Sequence, residues 1–136
     1  MQESWAHWMP LENLSKKYYI ESITNNREGF TVLLADAIGE SEKIKIVFEN
    51  GVNAFRNTDE TFKLSTISWL DEKYGGKFYA EWTFFRVENS EYLKFLCEQS
   101  GGISDFYDVK QYSIITDEEI LDIAATYEPV VTLDGK

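Results

Sequence analysis

Ser113–Ala125, "SIITDEEILDIAA", decides the fold. Thr116 and Glu119 stand at the spacing of a capping box, so a helix could begin there. The same letters also read as two strands joined by a tight turn at Asp117-Glu118, because the flanks are short and Pro129 closes the segment. The strand reading is adopted over residues 117–126, with the helix as its alternative.

Working back along the chain, "KIKIVFEN" alternates, with Ile44, Ile46 and Phe48 on one face and Lys45, Val47 and Glu49 on the other. "KYYIESIT" and "GFTVLLAD" share that period of two and flank Asn25–Gly29, which predicts a hairpin. "GVNAFRN" reads as a short strand, and "YDVKQYSIIT" as another. "KFYAEWTFFRVEN" is apolar on both faces and is expected to be a long central strand. Helical spacing occurs twice. Leu64, Ile67, Leu70 and Tyr74 precede Gly75-Gly76, and Asn89 or Ser90 caps "EYLKFLCEQS". The opening "ESWAHWMPLENLS" is expected to be an irregular arm, since Pro10 interrupts it. The expected fold is α+β: a curled, mostly antiparallel sheet of about six to eight strands with two short helices, at 64–74 and 90–100. A β-barrel-like closure is the alternative.

The 136 residues suit one domain, 1–136, and are 43% hydrophobic and 15% aromatic, which excludes a disordered chain. No run approaches the ~20 apolar residues of a membrane span. The first ten residues have neither a basic region nor a long apolar one, so no signal peptide is expected. Cys97 is the sole cysteine, which excludes an internal disulfide and a cysteine metal cluster. A cytoplasmic protein is the expectation.

Charge is the strongest global feature, at −11. Residues 103–136 carry eight acids and two bases, net −6, against −5 for the preceding 102. Such a field repels nucleic acid and anionic membranes and draws in basic partners. Asp117, Glu118, Glu119 and Asp122 crowd six positions without a base among them, and Asp105 and Asp108 precede them. A docking edge is therefore placed on Asp105, Asp108, Asp117, Glu118, Glu119 and Asp122. Tyr107, Tyr112 and Tyr127, with Phe106, would give it an apolar centre. Glu40, Glu42 and Glu49 form the alternative acidic surface.

No residues are assigned to catalysis, cofactor or metal. His7 lies between Trp5 and Trp8 without a nearby carboxylate and nucleophile, and Cys97 reads as a small core residue. A carboxylate pair for hydrolysis finds no specific support, because 24 acids produce pairs by chance. "FRNTDE", residues 55–60, reads as a strand end and a salt-bridged turn, with Arg56 pairing Asp59 or Glu60.

The pieces "FRNTDE", "VENSEYLKF" and "YEP", within an order running from about Tyr18 to Val131, resemble a group of small acidic Gram-positive bacterial proteins. Some of these are encoded beside secreted polymorphic toxins and act as their immunity proteins. The resemblance implies a protein that binds and neutralises a basic toxin domain, a nuclease being one candidate, without catalysis of its own. The alternatives are a carboxylate-dependent hydrolase and an adaptor domain. The oligomeric state is not legible.

Overall fold

The computed structural model describes residues 3–39 and 42–134. Its disputed stretch is a hairpin. β7 (Lys110–Ile115) pairs antiparallel with β8 (Glu119–Ala125), setting Ile115 opposite Ile120 and Ser113 opposite Asp122. Thr116 does cap, but it caps a turn. Its N–H donates to the Glu119 carbonyl at 3.0 Å, and its Oγ1 accepts from the N–H groups of Glu118 and Glu119 at 3.1 Å. The strand wins because both faces of 119–125 are covered. Leu121, Ile123 and Ala125 face one core and Ile120 faces another, a demand one helical stripe does not meet.

Nine strands form two antiparallel sheets among the described residues. The first sheet runs β1 (Ser4–His7), β6 (Phe84–Glu88), β7, β8, β5 (Ala54–Asp59). The second runs β2 (Tyr18–Asn26), β3 (Gly29–Asp36), β4 (Lys43–Phe48), β9 (Val130–Asp134). The expected six to eight strands of a single curled sheet are thus nine in two sheets, and no closed barrel forms among the described residues. The α+β class holds, with α1 (Leu64–Tyr74) and α3 (Glu91–Gln99) where the spacing places them.

Between the sheets, Tyr18, Phe30, Leu34, Ile46 and Phe48 meet Phe84, Tyr112, Ile114, Leu121 and Ile123. On the far side of the first sheet, Trp5, Phe85, Val87, Ile115 and Ile120 pack against Ile67 and Leu70 of α1. The first sheet is therefore the middle of three layers, helix, sheet and sheet. Burying both of its faces explains its apolar strands.

Two expectations are corrected. Residues 4–7 are not an irregular arm: they pair with β6 from Ser4–Glu88 to His7–Phe85, and Pro10 lies beyond the pairing. "KFYAEWTFFRVEN" is not one long strand. Lys77–Ala80 form α2, and only Phe84–Glu88 are extended. The reason lies in its carbonyls. Lys17 Nζ donates to the Tyr79 carbonyl at 2.6 Å and to that of Trp82 at 2.8 Å, taking acceptors that a ladder would need. Phe78 meanwhile stacks on Tyr74 and His7, at 4.3 and 4.6 Å between ring centroids.

The β2–β3 hairpin is tighter than Asn25–Gly29, since Asn26 already pairs with Gly29. Gly29 holds φ +124°, and a Cβ there would lie 2.6 Å from the Phe48 carbonyl oxygen, so no other residue fits without displacement. No helix among the described residues is long and apolar enough to cross a membrane.

Candidate partner-binding surface

All of "FRNTDE" except Glu60 lies in β5, an edge strand of the first sheet. Arg56 stands in the middle of the strand, in register with Asp122. Its Nε donates to Asp122 Oδ2 at 2.8 Å, so its partner is 66 residues away and is neither Asp59 nor Glu60. Asp59 caps the 3-10 turn at Glu60–Lys63 by accepting from the Thr61 N–H at 2.8 Å.

Asp122 is the hub of a polar network on the helix side of the sheet. It is 1% exposed, with Gln111 equally buried and Ser113 wholly so. Asp122 Oδ1 accepts from Ser113 Oγ at 2.6 Å and from Gln111 Nε2 at 3.1 Å. Lys63 Nζ lies 3.8 Å from Oδ2. Gln111 in turn bonds the Ser90 hydroxyl. Ser90 is the N-cap of α3, its Oγ accepting from the Leu93 N–H at 3.0 Å. In the first turn of α3, the Tyr92 ring lies 4.1 Å beneath the Arg56 guanidinium. Burial pushes the Tyr92 phenol up from its ordinary pKa, so it stays neutral beneath the cation. The network fixes α3 beside β5. A buried carboxylate is sustained here because every donor around it is aimed at it.

The gap left between α3, the start of β5 and the loop after α3 is a cleft of about 730 Å³. Asn53 and Ala54 form one wall, Leu93 and Cys97 another, and Asp105 and Tyr107 close the third. The Cys97 thiol donates to Asp105 Oδ1 at 3.3 Å. Cys97 is half-buried in this wall, a position that reading it as a core residue missed. Ile103 and Tyr107 at the cleft are more than half exposed, as are Phe95 on α3 and Tyr127 beyond β8.

The nine residues expected at a docking edge divide into three places. Asp105, Tyr107, Asp108 and Tyr127 lie where β7 begins and β8 ends, and all four are exposed. Asp108 pairs with Lys110 at 2.7 Å, a hydrogen bond that holds its carboxyl below the ordinary range. Asp117, Glu118 and Glu119 lie at the hairpin's other end, where Glu119 accepts from Asn57 Nδ2 at 2.8 Å. Asp122 and Tyr112 belong to neither group, and burial removes both from a contact surface. Tyr112 is 1% exposed in the core between the sheets, against Trp8 and Phe48. The Phe106 side chain is outside what the structure describes. Of the alternative surface, Glu40 lies outside the described residues, Glu42 bonds the Tyr18 hydroxyl, and Glu49 is exposed after β4.

The His7 ring is stacked on Phe78, and its Nε2 lies 2.8 Å from the Phe78 carbonyl, which assigns the proton to Nε2. Among the described residues, no three His, Cys, Asp or Glu are grouped to hold a metal ion. No family model, curated protein or solved structure matches this chain.

Proposed function

We propose that the chain is a cytoplasmic immunity-type protein that binds and neutralises a basic toxin domain and performs no catalysis itself. The observation that supports it best is the surface at the α3 cleft. Exposed Ile103 and Tyr107 are bordered there by Glu98 and Asp105, on a chain of net −11. An apolar centre with a charged rim is the composition of a specific protein interface, and the acidic field would speed a basic partner's approach. The buried carboxylate lends the hydrolase alternative no support, because Asp122 is closed off by Ser113, Gln111 and Arg56. Co-expression tests the proposal. A toxin domain encoded beside this gene should kill its host alone and spare it when this chain is present, and the purified pair should co-elute. Survival without co-elution, or death despite expression of the folded chain, overturns it.

A further inference from the structure

β5 has one neighbour in its sheet, β8, so every second residue of Ala54–Asp59 turns its N–H and C=O away from the protein. What lies at the two ends of that edge separates it from the others. At its start, Asn53 and Ala54 border the cleft that holds Glu98 and Asp105, where the lysine of the lining, Lys94, is paired with Glu91 at 3.5 Å. At its finish, Asp59 stands opposite Glu119, and the Glu60 N–H donates to the Glu118 carbonyl at 2.9 Å, with Asp117 next to it in the turn. The cation on the strand, Arg56, is held by Asp122. The two acidic groups that the chain order suggests as one patch are therefore joined by an open strand of six residues, spanning about 20 Å.

The other edges are less suited to a basic segment. β1 has four residues. β2 carries a register shift between Ile20 and Ser22, a bulge that blunts pairing. β9 runs beside β4, whose exposed Lys45 stands opposite Thr132 and repels a cation. A second copy of this chain is a poor occupant of β5 as well, because two bodies of net −11 repel.

We propose that β5 is a strand-addition edge. An extended segment of the basic partner pairs along Ala54–Asp59 as a sixth strand of the first sheet, with Lys or Arg side chains reaching the acidic groups at both ends and one side chain entering the α3 cleft. This rests on the reading of the chain as a binder of a basic protein.

The test uses the intact chain and two synthetic probes: a ten-residue peptide alternating Lys and Thr, and the same peptide N-methylated at every residue. The second keeps the charge and loses every strand donor. Binding is followed at low salt by backbone amide shifts and hydrogen exchange. The expected result is that the plain peptide slows exchange within 54–59 at least tenfold and binds at least tenfold tighter than its N-methylated form. Equal binding of both peptides, or protection at 18–26 or 130–134 in place of 54–59, overturns the β5 assignment and leaves the basic-partner reading standing. Failure of both peptides to bind overturns that reading and the assignment with it. A dimer of the free chain with 54–59 already protected also overturns the assignment, because the edge would be occupied by a second copy.

Discussion

Replacing Asp122 by alanine tests whether the polar network holds α3 against the sheet. The magnitude follows from what the substitution strands. Two cations lose their anion: the Arg56 side chain is 41% exposed and reaches water, which removes most of its cost, while Lys63, 16% exposed, loses a looser contact at 3.8 Å. Ser113 and Gln111 have no such escape, being 0% and 1% exposed. Gln111 Nε2 retains a bond to Ser113 Oγ at 2.9 Å, so the loss falls mainly on the Ser113 hydroxyl and on half of the Gln111 amide. At about 1–3 kcal/mol per stranded buried donor, the expected destabilisation is about 2–4 kcal/mol. Asp122→Asn keeps the shape and one carbonyl acceptor but turns an amide N–H toward the Arg56 Nε–H, for about 1–3 kcal/mol. Arg56→Ala leaves the carboxylate with Ser113, Gln111 and Lys63, for about 1–2 kcal/mol.

Urea unfolding followed by tryptophan fluorescence is the assay. With a slope of about 1.5 kcal/mol per molar urea, Asp122→Ala should lower the midpoint by about 1.3–2.7 M. The damage should be greatest for Asp122→Ala, smaller for Asp122→Asn and smallest for Arg56→Ala. The double variant should fall short of the sum of the singles, because the two residues share one bond. A midpoint shift below about 0.5 M for Asp122→Ala, or a larger loss for Arg56→Ala than for Asp122→Ala, would refute the reasoning. It would mean that water reaches the carboxylate and α3 is held by Tyr92 and its apolar neighbours alone.

Three further outcomes are expected. Stability should rise with pH from about 8 and fall beyond about 10: burial depresses the Lys17 ammonium to about 8, so the unfolded chain holds a proton that the folded one has released up to 10.5, whereas Tyr18 is raised to about 12 by burial and so keeps in the folded state a proton that the unfolded chain loses above 10.0. Lys17→Met should flatten the rise, and thermal melts from pH 7 to 11 check both limbs. Gly29→Ala should cost about 2–4 kcal/mol in the same urea assay, since it combines a positive φ with a Cβ 2.6 Å from the Phe48 carbonyl oxygen; wild-type stability would show that the hairpin relaxes. Association with the basic toxin domain proposed as partner, measured by stopped flow, should slow at least about tenfold between low and high salt, and an on-rate indifferent to salt would remove electrostatic steering.

How far the sequence could be read depended on how locally each element is specified. Period-two runs such as Lys43–Phe48 and the capped α3 carry their own signal, and both form as their spacing implies. Phe78 and Trp82 belong to an aromatic group with His7 and Phe85, and Lys17 takes neighbouring carbonyls, so the break in 77–83 depends on residues 60 or more positions away. The division into two sheets is likewise set by pairings such as β4 with β9 and β5 with β8, which no window of sequence contains.

Asp122 is a different case, because its fate was legible in part. Grouping it with Asp117, Glu118 and Glu119 follows chain proximity, yet the strand reading of the same stretch already separates them. In a strand, Leu121 and Ile123 point one way, and Asp122 shares the opposite face with Ile120 and Ala124. An acid between two apolar residues on one face of a strand points to a covered face, and hence to a buried carboxylate in need of donors. Arg56 carries a weaker form of that signal: it stands between Ala54 and Thr58 on an otherwise uncharged face, but Thr58 is polar and Arg56 is itself exposed. What the sequence does not give is the register that brings them together. That register, once set by the β5–β8 pairing, converts most of "FRNTDE" from a salt-bridged turn into the edge strand beside the cleft, with acidic side chains near both of its ends.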